Sequence, residues 1–322
     1  FGEVVTGEEA VQWFQQNLKV YPLATGPRKG RFTNGTGVGT NSLVPEDASA
    51  FTMLNEIIQH EPKELFGAEQ LGRLATLGIV KGKPFNPDER MKKILDQAAK
   101  QGVAMSRAIL YASREPDIKY WENRQWEKMF LYNTTFERDG INDIDARTLW
   151  HYQAIVVSPN LVSTTPGAGT AYLTTFRDSE ERFLDGGQDY RLTVPANPPV
   201  KRFWAISAYD PLTRSLLDIG GNRNKSVGSL DNPVVNADGT VDVYFGPKAP
   251  AGKEANWVPT VPGKGFFLVF RFYGPTEGYI NKTWVPNDLE LIDYQKAHQH
   301  ILHLPLIRPL RNLVLPSRTG RR

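Results

Sequence analysis

Apolar positions recur with a helical period through the early part of the chain, and with a strand-like period in short segments through the rest. Residues 6 to 20, "TGEEAVQWFQQNLKV", put Val11, Phe14 and Leu18 on one face behind a Thr6–Glu9 capping box, and Pro22 ends the pattern. Pro45 with Glu46 and Asp47 opens a second helix carrying Phe51, Leu54, Ile57 and Ile58, closed by Pro62. "GAEQLGRLATLGI" predicts a third through Leu71, Leu74 and Leu77. The fourth starts with Asn86 as N-cap and Pro87 in the first turn, lines up Met91, Ile94, Leu95 and Ala98, and runs to about residue 111.

Beyond "REPDIKYWENRQW" the period changes. Aromatic and β-branched segments between turn residues predict antiparallel strands at 129–137, 171–177, 189–194, 201–209, 241–246 and 265–273. Asp238-Gly239 reads as a two-residue hairpin turn between "VVNA" and "TVDVYF". "IDARTLWHYQAIVV" at 144–157 fits helix or strand. Short strands with few helix-sized segments between them imply an α+β chain, with a multihelical segment followed by an antiparallel β-sandwich of jelly-roll type. The implied organisation is an N-terminal helix and loop at 1–40, a helical domain at 41–125, a sandwich domain at 126–290 and a basic His/Arg-rich tail at 291–322.

Composition narrows the function classes. The 322 residues are 40% hydrophobic and 23% charged, as in a water-soluble globular protein. Lys+Arg 38 against Asp+Glu 35 are interspersed, so no one-sided basic patch favours nucleic acid. The absence of cysteine excludes disulfides, thiolate metal sites and cysteine nucleophiles. No apolar run approaches the roughly 20 residues that span a bilayer. The chain opens at Phe1 without a Met, which reads as a processed chain or a fragment.

Several long motifs are similar to a known group: "LNEIIQHEP" (54–62), "LGIVKGKPFNPDERMKKIL" (77–95), "DARTLWHYQA" (145–154), "FLDGGQDYRLTVP" (183–195), "RFWAISAYDPLTRSLL" (202–217), "VNADGTVDVYFGPKAPAGKEANWVPTVPGKGFF" (235–267) and "FYGPTEGYINKTWVPNDLELI" (272–292). They resemble bacterial exported proteins that combine domains of unknown function 1254 and 1214. The resemblance implies a helical segment flanked by two β-sandwiches, the first of which would precede residue 1, and a periplasmic or secreted location. It implies no activity and no cofactor.

Three clusters carry candidate chemistry. The loop "GPKAPAGKEANWVPTVPGKG" (246–265) offers Lys253, Lys264 and Asn256 to a carboxylate, phosphate or sugar hydroxyl, and Trp257 to a sugar or aromatic face; alternatively Trp257 plugs the sandwich edge and Glu254 pairs with a lysine. "YDPLTRS" (209–215) presents Tyr209 and Arg214, with an Asp210 to Thr213 hydrogen bond explaining the turn. In "DARTLWHYQ", Arg147 and His151 share a face in a helix or in a strand; an Asp145–Arg147 ion pair is the competing structural explanation. His298, His300 and His303 do not make a metal site without a further ligand, and no Gly-x-Ser-x-Gly, His-Glu-x-x-His or dinucleotide motif is present. Two readings follow. One is an extracytoplasmic hydrolase or lyase on a polar carbohydrate-like or anionic small molecule, with His151 or Tyr209 moving protons and Arg147, Arg214, Lys253, Asn256, Trp257 and Lys264 binding. The other is a non-catalytic module that docks a ligand, a second copy or a missing N-terminal sandwich domain through the 246–265 loop.

Overall fold

The computed structural model describes residues 6–26, 32–39, 41, 43–131, 134–154, 158–162, 165–220 and 226–292. The basic tail from residue 293, with His298, His300 and His303, lies outside them, as do residues 155–157 of the ambiguous segment. The chain divides into two compact units, Phe1–Leu43 and Val44–Arg322. In the first, α1 (Gly7–Asn17) starts where the capping box places it, with Thr6 and Glu9 each satisfying the other's backbone N–H.

In the second unit the helices are α2 (Ser49–His60), α3 (Ala68–Thr76), α4 (Glu89–Tyr111), α5 (Ile144–Ala154) and the short α6 (Glu277–Ile280). The N-cap of α4 is Asp88, two residues later than the sequence implies, because its carboxylate accepts the Met91 N–H at 2.7 Å. Leu95, Ala99, Val103 and Leu110 form its buried stripe. The ambiguous segment is helical over α5, whose first turn is capped by Asp143 accepting the Ala146 N–H at 2.8 Å. Trp150 of α5 donates its indole N–H to the Leu131 carbonyl at 2.7 Å, so this helix is pinned to the layer beneath it.

Strands β1 (Glu127–Lys128), β2 (Glu137–Arg138), β3 (Ile141–Asn142), β4 (Thr170–Thr175), β5 (Tyr190–Val194), β6 (Val200–Tyr209), β7 (Ser226–Gly228), β8 (Val241–Gly246), β9 (Trp257–Pro259), β10 (Phe267–Pro275) and β11 (Glu290–Leu291) follow in chain order. One sheet runs β1-β4-β10-β6-β7, the other β11-β5-β8-β9, and β2-β3 is a separate hairpin. All described pairings are antiparallel except β8 with β9, because the loop 247–256 carries the chain back before it re-enters the sheet. This is an α+β fold in which two sheets share one core.

The period of two along β10 sorts the layers. Leu268, Phe270 and Phe272 point into the inter-sheet core with Trp126, Ile206 and Phe245, whereas Phe267 and Val269 point outward against Leu110 of α4 and Leu149 of α5. The five-stranded sheet is thus covered on both faces, by the second sheet and by helices.

Two strand expectations change. Among the described residues of 129–136 none lies in a strand: Met129 and Leu131 are buried under α5, and the hairpin falls at Asp139-Gly140, where φ is 52° and 77°. Asp238-Gly239 does make a turn, with Asn236 N–H donating to Thr240 O at 2.8 Å, yet only its later side enters a strand. On the earlier side, both backbone groups of Val234 are taken by the Asn256 side chain, leaving nothing for a neighbouring strand. Among the described residues no helix is long and apolar enough to cross a membrane.

Candidate functional site

The turn that ends β6 builds one side of the site. Asp210 accepts the N–H groups of Leu212 at 2.8 Å and Thr213 at 3.3 Å, while its carbonyl accepts the Arg214 N–H at 2.8 Å. Arg214 takes a left-handed backbone conformation, φ 56°, a strain that a non-glycine residue accepts only when its surroundings compensate. The compensation is visible. Its guanidinium lies 3.9 Å over the Tyr152 ring, and it donates through Nε to the Tyr152 carbonyl at 3.0 Å and through Nη1 to the Tyr152 hydroxyl at 3.2 Å.

Helix α4 supplies the other side. Tyr111 donates its hydroxyl to the Pro211 carbonyl and meets Phe176 edge-on at 5.0 Å. Burial pushes its phenol far above the ordinary range, a push that nearby Tyr152 adds to and Arg214 and Arg107 oppose. Arg107, one turn earlier, pairs with Glu46 and also faces the Tyr152 hydroxyl. Burial works against its charge, but Tyr152 and Glu46 outweigh it and the net shift is upward. Its Nε is buried without a hydrogen-bond partner among the described residues. Two guanidiniums therefore converge on one hydroxyl. Lys264 adds a third cation 3.5 Å from Asp210, held by a turn whose carbonyl accepts the Gly186 N–H at 2.8 Å. Position 186 requires glycine: a Cβ there would stand 2.4 Å from the Val261 carbonyl oxygen and 2.8 Å from that of Lys264.

A second polar group lies on the outer face of the same sheet. Arg271 donates to the Ser207 hydroxyl at 3.2 Å and to the Tyr209 hydroxyl, and Tyr209 stacks on Phe267 at 5.3 Å. Gln153 of α5 is 5% exposed, and neither of its amide atoms has a partner among the described residues. An unpaired buried amide costs about 1–3 kcal/mol, so its retention demands an explanation.

The residues singled out from the sequence separate into those that join these groups and those that do not. Arg214 and Lys264 belong to the first cluster and Tyr209 to the second. Arg147 and His151 are on the exposed side of α5, with Arg147 6.0 Å above the Phe136 ring, and neither reaches the arginine pair. Lys253 sits in a turn closed on Pro250 at 2.9 Å. Asn256 is 3% exposed and spends its side chain on the backbone, accepting from Val234 N–H at 2.7 Å and donating to Val234 O and Asp242 O, each at 2.8 Å. Trp257 donates its indole N–H to the Gly246 carbonyl at 3.0 Å, at the outer side of β9.

Arg107, Tyr111, Tyr152, Gln153 and Arg271 are site residues that the sequence reasoning did not single out. Two carried a signal. Gln153 interrupts the apolar stripe Ala146, Leu149, Trp150, and Arg271 is a lone cation inside "FFLVFRFYG". A cleft of 480 Å³ near the start of α5 is lined by Glu115, Arg138, Asp143 and Asp145, but Arg138 already pairs with Glu115 at 3.1 Å and Asp143 at 3.2 Å. Among the described residues no three His, Asp or Glu side chains are grouped to hold a metal ion.

Residues 169–277 match the family described as "Protein of unknown function (DUF1214)". The match runs from β4 into α6, so Tyr209, Asp210, Arg214, Lys264 and Arg271 lie within it, while Arg107, Tyr111, Tyr152 and Gln153 lie on helices before it. It supports the domain 1214 part of the expected combination; the domain 1254 part stays an expectation. No curated protein matches the chain. Among solved structures, the chain is similar to the VPA0106 protein from Vibrio parahaemolyticus, with 16% identity and a TM-score of 0.42, covering 83% of this chain and 59% of that one. An uncharacterized protein from Burkholderia cenocepacia gives 14% identity and a TM-score of 0.30, covering 75% and 52%. The chain thus spans somewhat over half the length of each.

Proposed function

We propose that this chain binds a small anionic molecule, a carboxylate or phosphate, at the Arg107–Arg214 pair. The observation that carries the reading is the convergence of two guanidiniums on the Tyr152 hydroxyl, with the buried Nε of Arg107 still without an acceptor. An anion seated beside both would take paired N–H donors in the geometry guanidinium favours. Lys264 widens the positive field at the same turn, and its half-exposed ammonium is free to swing from Asp210 to a ligand. The sequence reading of a hydrolase or lyase keeps Tyr209 as its proton-transfer candidate, since that residue directly precedes Asp210 and its hydroxyl accepts from Arg271. His151 faces away on α5 and has no place in it. Of the 246–265 loop, Lys264 alone joins this group, since Asn256 and Trp257 are bound to backbone.

The test is thermal unfolding with phosphate, citrate or succinate at matched ionic strength. A ligand at tenfold excess over its Kd raises Tm by roughly 3 °C. The rise is expected to vanish in Arg214→Gln and in Arg107→Gln. A rise that survives both substitutions, or none with any of the three anions, overturns the proposal.

A further inference from the structure

On a helix of 3.6 residues per turn, Gln153 falls within the arc defined by Ala146, Leu149 and Trp150. Ala146 and Leu149 pack in one cluster with Phe267 and Val269, so this arc faces the outer side of the five-stranded sheet. Tyr152 flanks it on one side through Arg214, at the end of β6; Trp150 flanks it on the other through Phe130, which leads to Tyr172 of β4. Between those flanks the sheet presents β10 and its neighbour. Ser207, 5% exposed, stands directly across from Val269 in register, and Arg271 follows one step along. The orphan amide therefore lies on the side of α5 that faces the sheet carrying the Ser207–Arg271–Tyr209 group.

The unused hydrogen-bonding capacity on the two sides matches one chemistry. Ser207 and Tyr209 each accept from Arg271, and among the described residues neither hydroxyl donates, so two protons are available. Gln153 offers two more N–H groups and needs a donor for its carbonyl. A carboxylate would take the donors and leave that carbonyl unsatisfied. Hydroxyl groups on adjacent carbons both donate and accept, as this set of donors and one acceptor requires.

We infer that Gln153, Ser207, Tyr209 and Arg271 form a buried subsite for a neutral, hydroxyl-rich group such as a sugar ring or cyclitol. It does not depend on the guanidinium pair. Its test is thermal unfolding of the full chain with myo-inositol and D-glucose, using cyclohexanol as the probe that lacks adjacent hydroxyls. A rise of roughly 3 °C at tenfold excess over Kd is expected with the two polyols and not with cyclohexanol. It is expected to disappear in Gln153→Met and in Ser207→Ala and to persist in Arg214→Gln. Polyols also stabilise proteins by exclusion from the surface, an effect indifferent to these residues. A rise equal in native, Gln153→Met and Ser207→Ala chains therefore overturns the inference, and so does the absence of any rise, which would mean that water alone serves the amide. Should Gln153→Met fail to fold, Ser207→Ala decides between the same outcomes.

Discussion

Replacing Asn256 by Ala separates its structural role from a ligand-binding one. Its side chain makes three hydrogen bonds, at 2.7, 2.8 and 2.8 Å, that tie Val234 to the Asp242 carbonyl of β8. Each is worth about 1 kcal/mol net, and truncation leaves Val234 N–H and two carbonyls without partners in a place that is 3% exposed. A loss near 3 kcal/mol follows, equivalent to a fall in Tm of roughly 6–9 °C. Urea titration should show a lower midpoint with an unchanged slope, because the surface exposed on unfolding is the same. The response to phosphate should remain, since none of the three bonds touches Arg107, Arg214 or Lys264. A stability loss below about 1 kcal/mol, or loss of the anion response in a chain of native stability, would refute the reasoning.

Burial pushes the Tyr190 phenol up to about 12, against its hydrogen bond from Asp185 N–H, whereas the unfolded chain ionises near the ordinary value of about 10. As pH rises through that interval the unfolded state gives up the proton first, so stability is intact below about pH 10 and falls by about 1.4 kcal/mol per pH unit up to about 12. Urea midpoints across this range should drop less steeply in Tyr190→Phe; an identical slope would show that Tyr190 does not titrate as described. Gly186→Ala places a methyl 2.4 Å from the Val261 carbonyl and should cost about 1–3 kcal/mol while displacing Lys264, which a parallel melt and phosphate response will detect. A native Tm with an intact response would mean that the 261–264 turn yields without consequence.

How much could be read in advance depends on the range of the forces involved. Helices α1 to α4 and strands β4, β5, β6, β8 and β10 are legible in the residues themselves, because capping groups, prolines and periods of 3.6 or 2 act between near neighbours. The α+β class follows from their order. The state of α5 was not legible, because its apolar residues fit both periods and burial under the sheet decides for the helix. Nor was the fate of Asn256, which looks like a ligand group in a loop until Val234 and Asp242 arrive beside it. Arg107, Tyr152 and Arg214 show the same limit more sharply: they lie on α4, on α5 and after β6, and only the packing of both helices on the outer face of β10 brings them together. Local pattern determined which segments are helix and strand, while long-range pairing and burial decided which polar groups are consumed by the fold and which are left facing one another.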